Sequence, residues 1–336
     1  MCGLYLLSRL IVTSKSYRKS KNSIQSVPDK PLPNVLFQNR LPLMRIKPFI
    51  SSIYLSGLAI SLFVFSVNLH AVTQLNFDNL TLKGEFLQGG IVIGKTIPGS
   101  KVIYDQKPIR VSSVGDFIIG FNRDEAERVS LKLIAPSGEQ FSRQLTVQKR
   151  DYKIQRIDGL PKSKVTPRKP EVLARIRKEA AQARQARKLD DDRADFLEKF
   201  IWPTIGPISG IYGSQRILNG QPRRPHFGVD VAAPVGAMVV APASGLVTMA
   251  HPDMFFSGGT IILDHGHGLS SSFLHLSELL VKTGDVVKQG DLIARVGATG
   301  RVTGAHLDWR MNLFKRRVDP QLLVPPMTTV KNSNKH

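Results

Sequence analysis

The 336-residue chain is expected to be mainly β: a small N-terminal β-sandwich, a connecting charged α-helix, and a C-terminal antiparallel β-sheet domain. Three observations predict this. Short runs alternating apolar and polar residues fill 72–157, broken by Gly, Pro, Asn and Asp. One stretch, 168–200, switches abruptly to Ala, Arg, Lys and Glu. From Trp202 the composition changes again to Gly, Val and Pro with many short apolar runs. Alternation of period two is the signature of half-buried strands, and Gly and Pro punctuate them. The length suffices for two domains with separate cores.

In chain order, residues 1–43 are basic and rich in Ser and Asn. They precede MRIKPFISSIYLSGLAISLFVFSVNLHA, 44–71, in which Arg45 and Lys47 lead into an apolar run from about Ile50 to Val67, with the small residue Ala71 beyond it. That is the order of a secretory signal peptide, and the run is short for a membrane span. Cleavage after Ala71 is expected, with membrane anchorage through 44–71 if the segment is retained. Met44 is then the expected start, with 1–43 a disordered extension. The single cysteine, Cys2, falls in that extension. A chain from 72 onward therefore has neither disulfides nor a thiol nucleophile.

Residues 72–160 contain seven strand-like runs, LTLKGEF, GGIVIG, KVIYD, PIRVS, DFIIGF, VSLKLIA and SRQLTVQ, expected to form a small β-sandwich. No cluster of titratable groups stands out there. Within the 161–200 linker, Pro170 suits a first helical position. Val172, Leu173, Ile176, Ala180 and Ala183 give only a thin apolar stripe, and Glu171 and Arg175 make a favourable i,i+4 pair. A solvated connecting helix is expected. The domain at 201–325 shows no long helical pattern, and 326–336 is expected to be a disordered tail.

The formal charge of +21 and isoelectric point near 10.3 imply an acidic partner. The chain lacks zinc-finger spacing, RNP-like aromatic motifs and basic heptads, so nucleic acid is not the expected one. An anionic envelope polymer or membrane surface remains. No feature indicates an oligomeric state.

Four polar clusters mark the last domain. HFGVD offers His226 and Asp230; on an ideal strand they would share a face but stand about 13 Å apart. Gly228 between them permits a bend that could bring both to one metal. DHGHG offers Asp264, His265 and His267 at a strand end and turn. FLHLSELL sets His275 among apolar neighbours. TGAHLDWRMN places His306 and Asp308 at i and i+2, on one face of a strand. Taken alone, His275 reads as a hydrogen-bonded core residue and HGHG as a solvated turn. Five histidines between 226 and 306 nevertheless make an imidazole–carboxylate metal site worth considering, and three such ligands with an open position describe a catalytic zinc centre.

The order HFGVD, GLVTMA, ILDHGHG, SSSFLHLSELLVKTGDVVKQGDLIARVGATGRVTGAHLDWRMN and RVDP, with its glycines, resembles the lysostaphin/LytM-type zinc metallopeptidases over roughly 200–325. The resemblance implies a LytM-type peptidase domain. It places two zinc ligands on His226 and Asp230 and catalytic roles on His275 and His306. The third-ligand histidine of that family is Asp308 here. Carboxylate oxygen is an acceptable zinc ligand, but a His/Asp/Asp shell carries less residual positive charge. That weakens Lewis acidity and shifts preference slightly toward harder ions such as Mn²⁺, with one Zn²⁺ still the expected occupant. The resemblance implies a secreted or periplasmic endopeptidase acting on the peptide cross-links or stems of cell-wall peptidoglycan. The alternative is a catalytically weakened relative that activates or scaffolds other wall hydrolases. Asp264 and His265 are expected in turns or behind the ligands, and Asp291 and Asp319 in turns only. The GDVVKQGDLI hairpin resembles biotinyl or lipoyl carriers, but neither Lys282 nor Lys288 sits in a modification motif.

Overall fold

The structure, a computed structural model, describes residues 72–77, 79–157 and 169–327. The expected extension 1–43, the signal peptide 44–71 and the tail from 328 lie outside the described residues. Among the described residues no helix is long and apolar enough to cross a membrane.

The mainly β expectation holds. The first N-terminal sheet runs β1 (Thr73–Phe77), β2 (Leu80–Gly84), β3 (Ile91–Thr96), β6 (Asp116–Gly120). The second runs β5 (Lys107–Ile109), β4 (Lys101–Tyr104), β7 (Arg128–Ile134), β8 (Gln140–Thr146). Alternation does what it should: Val129, Leu131 and Leu133 of β7 face inward while their neighbours are more exposed. Together with Leu82, Val92, Phe117 and Ile119 they form one apolar core. β6 reads DFIIG, a run rather than an alternation, because it is buried on both faces. Its Ile118, with Ile91 of β3, joins the core of the C-terminal sheet. The two modules therefore share apolar contacts.

A short three-stranded sheet follows, in which β9 (Ile154–Ile157) pairs in parallel with β11 (Gln215–Leu218), and β11 with β12 (Gln221–Pro222). The C-terminal sheet runs β10 (Ile208–Gly210), β13 (Val229–Ala232), β20 (His306–Leu313), β17 (Leu269–Leu279), β16 (Gly258–Asp264), β15 (Gly245–Met254), β18 (Val286–Val287). β14 (Met238–Val240) pairs β19 (Leu292–Val296), which pairs β17, and β21 (Arg316–Val318) pairs β20.

The two faces of this sheet differ in kind. Val229, Ile261, Leu263, Phe273 and Trp309 share one face and pack with Phe196 and Phe200 into the main core. By register, Ile262, Ser272 and Arg310 share the other face, and Asp308 joins them two residues along β20. Helix α1 (Pro170–Ala186) lies on this second face: Ala183 and Ala186 pack against Met249, Met254 and Ile262.

That contact corrects the expectation of a solvated helix. Glu179, on the polar side of the sequence pattern, is 8% exposed and accepts hydrogen bonds from the Phe255 backbone N–H (2.8 Å) and Arg175 Nε (2.7 Å). Arg175 also reaches the backbone carbonyl of Asp253 at 2.6 Å. The thin apolar stripe misled because docking here is largely polar, through a buried carboxylate that caps a sheet strand. Asp319 is likewise more than a turn residue. It accepts from Gln321 N–H at 3.0 Å, starting a 3₁₀ turn, and pairs with Arg150 of the N-terminal half at 2.9 Å while 2% exposed. The Asp291 side chain holds its own turn, accepting from Lys288 N–H at 2.8 Å, while its backbone carbonyl accepts from Ala241 N–H at 2.9 Å.

Candidate metal centre and its surroundings

The centre is built on three neighbouring strands. Asp230 on β13 lies opposite Asp308 on β20, and Asp308 opposite Leu274 on β17. The two carboxylates are thus cross-strand partners on one face, the closest side-chain relationship a sheet offers. His226 precedes β13, with its backbone tied to Ser214 O and Gly213 N–H, both at 2.8 Å. One ligand atom from each of His226, Asp230 and Asp308 lies within 4.8 Å of the others. His226 Nε2 stands 3.2 Å from Asp230 Oδ1, and both atoms are buried without a hydrogen-bond partner. Buried polar atoms are normally satisfied, so two orphan ligand atoms converging on a third ligand, the Asp308 carboxylate, fit a cation-binding cradle.

Glycines make the approach possible, though not by bending. A Cβ on Gly228 would lie 2.5 Å from Trp309 O and 2.8 Å from Asp308 Oδ1. A Cβ on Gly210 would lie 2.2 Å from Asp230 Oδ2. Both positions therefore admit the carboxylates through absence of bulk, and Gly228 acts by close approach rather than as the hinge expected from spacing.

His275 owes its place to a bulge. Gly259 pairs Leu276 and Ile261 pairs Phe273, so β17 carries an extra residue there, and His275 has φ of 67°. A residue in that left-handed conformation is costly and re-aims its side chain. Its ring comes to 4.9 Å from that of His306, centroid to centroid. His275 Nδ1 lies 2.9 Å from Thr299 O, and His306 Nδ1 2.9 Å from Gly304 O. A carbonyl can only accept, so each Nδ1 carries the proton and each neutral ring keeps Nε2 as its lone-pair atom. Burial lowers the His275 pKa below the ordinary imidazole value, keeping the ring neutral near pH 7. His306 Nε2 lies 3.9 Å from Asp230 Oδ1.

Sequence reasoning missed Arg310. Its Nε donates to both oxygens of Asp308, at 2.9 and 3.0 Å, and Nη2 adds a third bond. The Asp308 side chain is 3% exposed. Burial alone would raise its pKa, but the charge and hydrogen bonds of Arg310 outweigh that and hold it below the usual carboxylate range. The signal was present: i and i+2 on a strand share a face, the same rule that joined His306 to Asp308. Oδ2 accepts two of these bonds and Oδ1 only one, so Oδ1 keeps a lone pair and the ion pair leaves Asp308 able to ligate through it.

The DHGHG cluster sits apart. His265 is fully buried, with Nδ1 2.7 Å from Ser244 O and Nε2 2.9 Å from Ser271 Oγ, which also takes Trp309 Nε1–H at 3.2 Å. Burial pushes its pKa down to about 4. Asp264 pairs with Arg193 and accepts from Gly266 N–H at 3.0 Å. His267 stacks on Phe196 with ring centroids 4.5 Å apart. These residues anchor the loop before β10 to the sheet.

An antiparallel sheet thus presents a His/Asp/Asp cradle that could hold one metal ion, beside two imidazoles. Residues 224–320 match the profile of Peptidase family M23, and the C-terminal region is a domain of that family. The chain is similar to the peptidoglycan DD-endopeptidase ShyB of Vibrio cholerae, 38% identical over 112 residues, or 33% of this chain and 26% of that protein. It is similar to an uncharacterized metalloprotease of Haemophilus influenzae, 39% identical over 106 residues, 32% of this chain and 22% of the other. The chain thus spans about a quarter of the length of these relatives. A Pseudomonas aeruginosa crystal structure assigned to peptidase M23 superposes with a TM-score of 0.56 at 28% identity, covering 71% of this chain and 95% of that one. That likeness extends well beyond 224–320 and so takes in part of the N-terminal half.

Proposed function

We propose that this chain is an exported, zinc-dependent endopeptidase that hydrolyses peptide bonds in cell-wall peptidoglycan. The observation that carries the reading is the convergence of His226, Asp230 and Asp308 within 4.8 Å beside the His275–His306 pair. The similarity to a peptidoglycan DD-endopeptidase supports the substrate class. The signal-like 44–71 supports export to the periplasm or envelope, and the net charge of +21 suits an anionic wall or membrane surface.

His226, Asp230 and Asp308 are the residues that would hold the ion; zinc suits an imidazole–carboxylate set, with Mn²⁺ the less fitting occupant. Zinc there supplies Lewis acidity, lowering the pKa of water and polarising a carbonyl. The chain's own part lies in proton handling. His275 and His306, each with Nδ1–H fixed on a carbonyl, keep Nε2 unprotonated on rings whose centroids lie 4.9 Å apart. Neutral imidazoles there can take a proton from the attacking water and return it to the leaving amine. Arg310 holds Asp308 ionised, so the third ligand needs no deprotonation before binding.

The test is digestion of purified peptidoglycan with the full chain, zinc-replete, zinc-stripped, and as His226→Ala, with fragments identified by mass spectrometry. Loss of cross-linked fragments that requires both zinc and His226 is expected. A second reading rests on one observation: both Asp308 oxygens are already engaged by Arg310. Folded protein that takes up no zinc and cuts nothing, yet stimulates a separate wall hydrolase, favours an activator over an enzyme.

A further inference from the structure

On the metal-bearing face, three guanidinium groups gather with only one carboxylate among them. β20 places Asp308, Arg310 and Asn312 along one face, and Ser272 on β17 lies opposite Arg310. Arg317 on β21 pairs with Asn312 and donates Nη1 to its Oδ1 at 3.0 Å. Arg187, just past the end of α1, donates Nη2 to Ser272 Oγ at 3.0 Å and Nη1 to Ala183 O at 3.3 Å. Its Nε is buried with no partner.

Arg310 spends its charge on Asp308, whereas neither Arg187 nor Arg317 has an acidic partner among the described residues. Buried cations are ordinarily paired. Burial and mutual repulsion depress both: Arg187 falls to about 9, with Arg317 and Arg310 as its named neighbours. Arg317 falls to about 10, pressed by Arg310 and Arg224. A polypeptide maintains such a cluster at a cost, and an anion would relieve it. All three side chains keep partial exposure, Arg310 at 31%, so the cluster is reachable from solvent.

We propose that Arg187, Arg310 and Arg317 form a carboxylate-binding subsite beside the metal centre, which takes a free carboxylate of the wall peptide. The inference rests on the endopeptidase reading for the identity of the ligand. Position argues for substrate rather than for a detached ion. Arg310 lies two residues from Asp308, about 7 Å along the strand, and Asn312, which holds Arg317, about 13 Å. An extended peptide advances by similar steps, so the bound carboxylate belongs to a residue two to four positions from the bond cut. Guanidinium forks match carboxylates in two-point geometry. Helix α1 is thereby assigned a role in binding: its C-terminal end carries Arg187 to Ser272 of the sheet.

The experiment is titration calorimetry on the zinc-free full chain with a soluble wall tetrapeptide, either with its carboxylates free or amidated. The free acid is expected to bind roughly tenfold or more tightly than the amide, the preference that charge-assisted hydrogen bonds give. Arg187→Gln and Arg317→Gln should each bring the ratio toward one, and Arg187→Lys should restore part of it. Thermal melts of each variant exclude misfolding. Equal affinity for acid and amide, or an unchanged ratio in folded Arg317→Gln, overturns the subsite. Because the assay uses no metal and no cleavage, its outcome is independent of whether zinc-dependent digestion succeeds.

Discussion

Arg310 grips both carboxylate oxygens of Asp308 from two residues along the same strand, with Nε at 2.9 and 3.0 Å. An anionic ligand paired with a cation is, in net charge, equivalent to the neutral imidazole that LytM-type relatives are expected to carry at this position. The pair therefore offsets the charge change that Asp308 alone would bring. Arg310→Gln leaves Asp308 fully available and removes a positive charge near the cation. Zinc affinity in chelator competition should rise about tenfold, while turnover should fall as Lewis acidity drops. Weaker zinc binding in Arg310→Gln would mean that Arg310 orients the ligand more than it competes for it. Asp308→Ala leaves the half-buried guanidinium of Arg310 unpaired and should cost about 1–3 kcal/mol of stability as well as the metal.

His275 and His226 should separate cleanly. His275 contacts no ligand atom in the cradle, so His275→Ala should retain zinc while cutting turnover by roughly 10²–10⁴-fold, the range for general acid–base groups. His226→Ala should lose both. Zinc content by mass spectrometry on the same samples checks the distinction. The left-handed φ of His275 adds a second expectation: His275→Asn, a residue tolerant of that conformation, should melt higher than a β-branched replacement such as His275→Val.

The buried His265 makes stability pH-dependent. Its folded pKa of about 4 lies below the unfolded value of 6.5, so the unfolded chain binds more protons between those values. Its contribution is complete above about pH 6.5 and is lost as pH falls toward 4. Asp264, pushed up to about 6 by burial, works against this in the same window, because ionising it costs the folded state. Urea denaturation should therefore show a nearly flat stability in wild type between about pH 4 and 6, where the two shifts offset each other, and a stability that falls as pH rises through that window in His265→Gln. The difference between the two curves should reach about 2–3 kcal/mol at most. An identical slope in the variant would place the titration elsewhere.

Much of this was legible from residues alone, for identifiable reasons. Period-two alternation marked the N-terminal strands because each buries one face, and glycine and proline marked their ends. The polar clusters flagged the cradle because His and Asp are costly to bury without a purpose. What escaped was tertiary. The helix was read as solvated since its docking runs through Glu179, a residue type that periodicity counts as surface. The bulge at His275 has no signature in a run such as FLHLSELL, where strand and core readings fit equally. Arg187 and Arg317 are far from Arg310 in sequence or on a separate strand; sheet register brings Arg317 alongside, and the docking of α1 brings Arg187 to Ser272.

Arg150 tests whether the two β modules act as one folding unit. Its guanidinium donates Nη1 to Gln88 O at 3.1 Å in the N-terminal half and to Asp319 Oδ2 at 2.9 Å in the C-terminal half. Asp319 is also tied by its own N–H to Gly89 O at 2.8 Å. Because the carboxylate is nearly sealed from water, Arg150→Ala would strand a charge and should cost about 3 kcal/mol. For a folding unit of this size that corresponds to a fall of about 6–12 °C in Tm. The Arg150→Ala/Asp319→Ala double variant should be less destabilised than the sum of the singles, since neither charge is then left alone. Ile91 and Ile118 still bridge into the C-terminal core, so each variant should melt in a single calorimetric transition. Two resolved transitions in Arg150→Ala would show instead that this ion pair, and not the shared apolar contact, couples the modules.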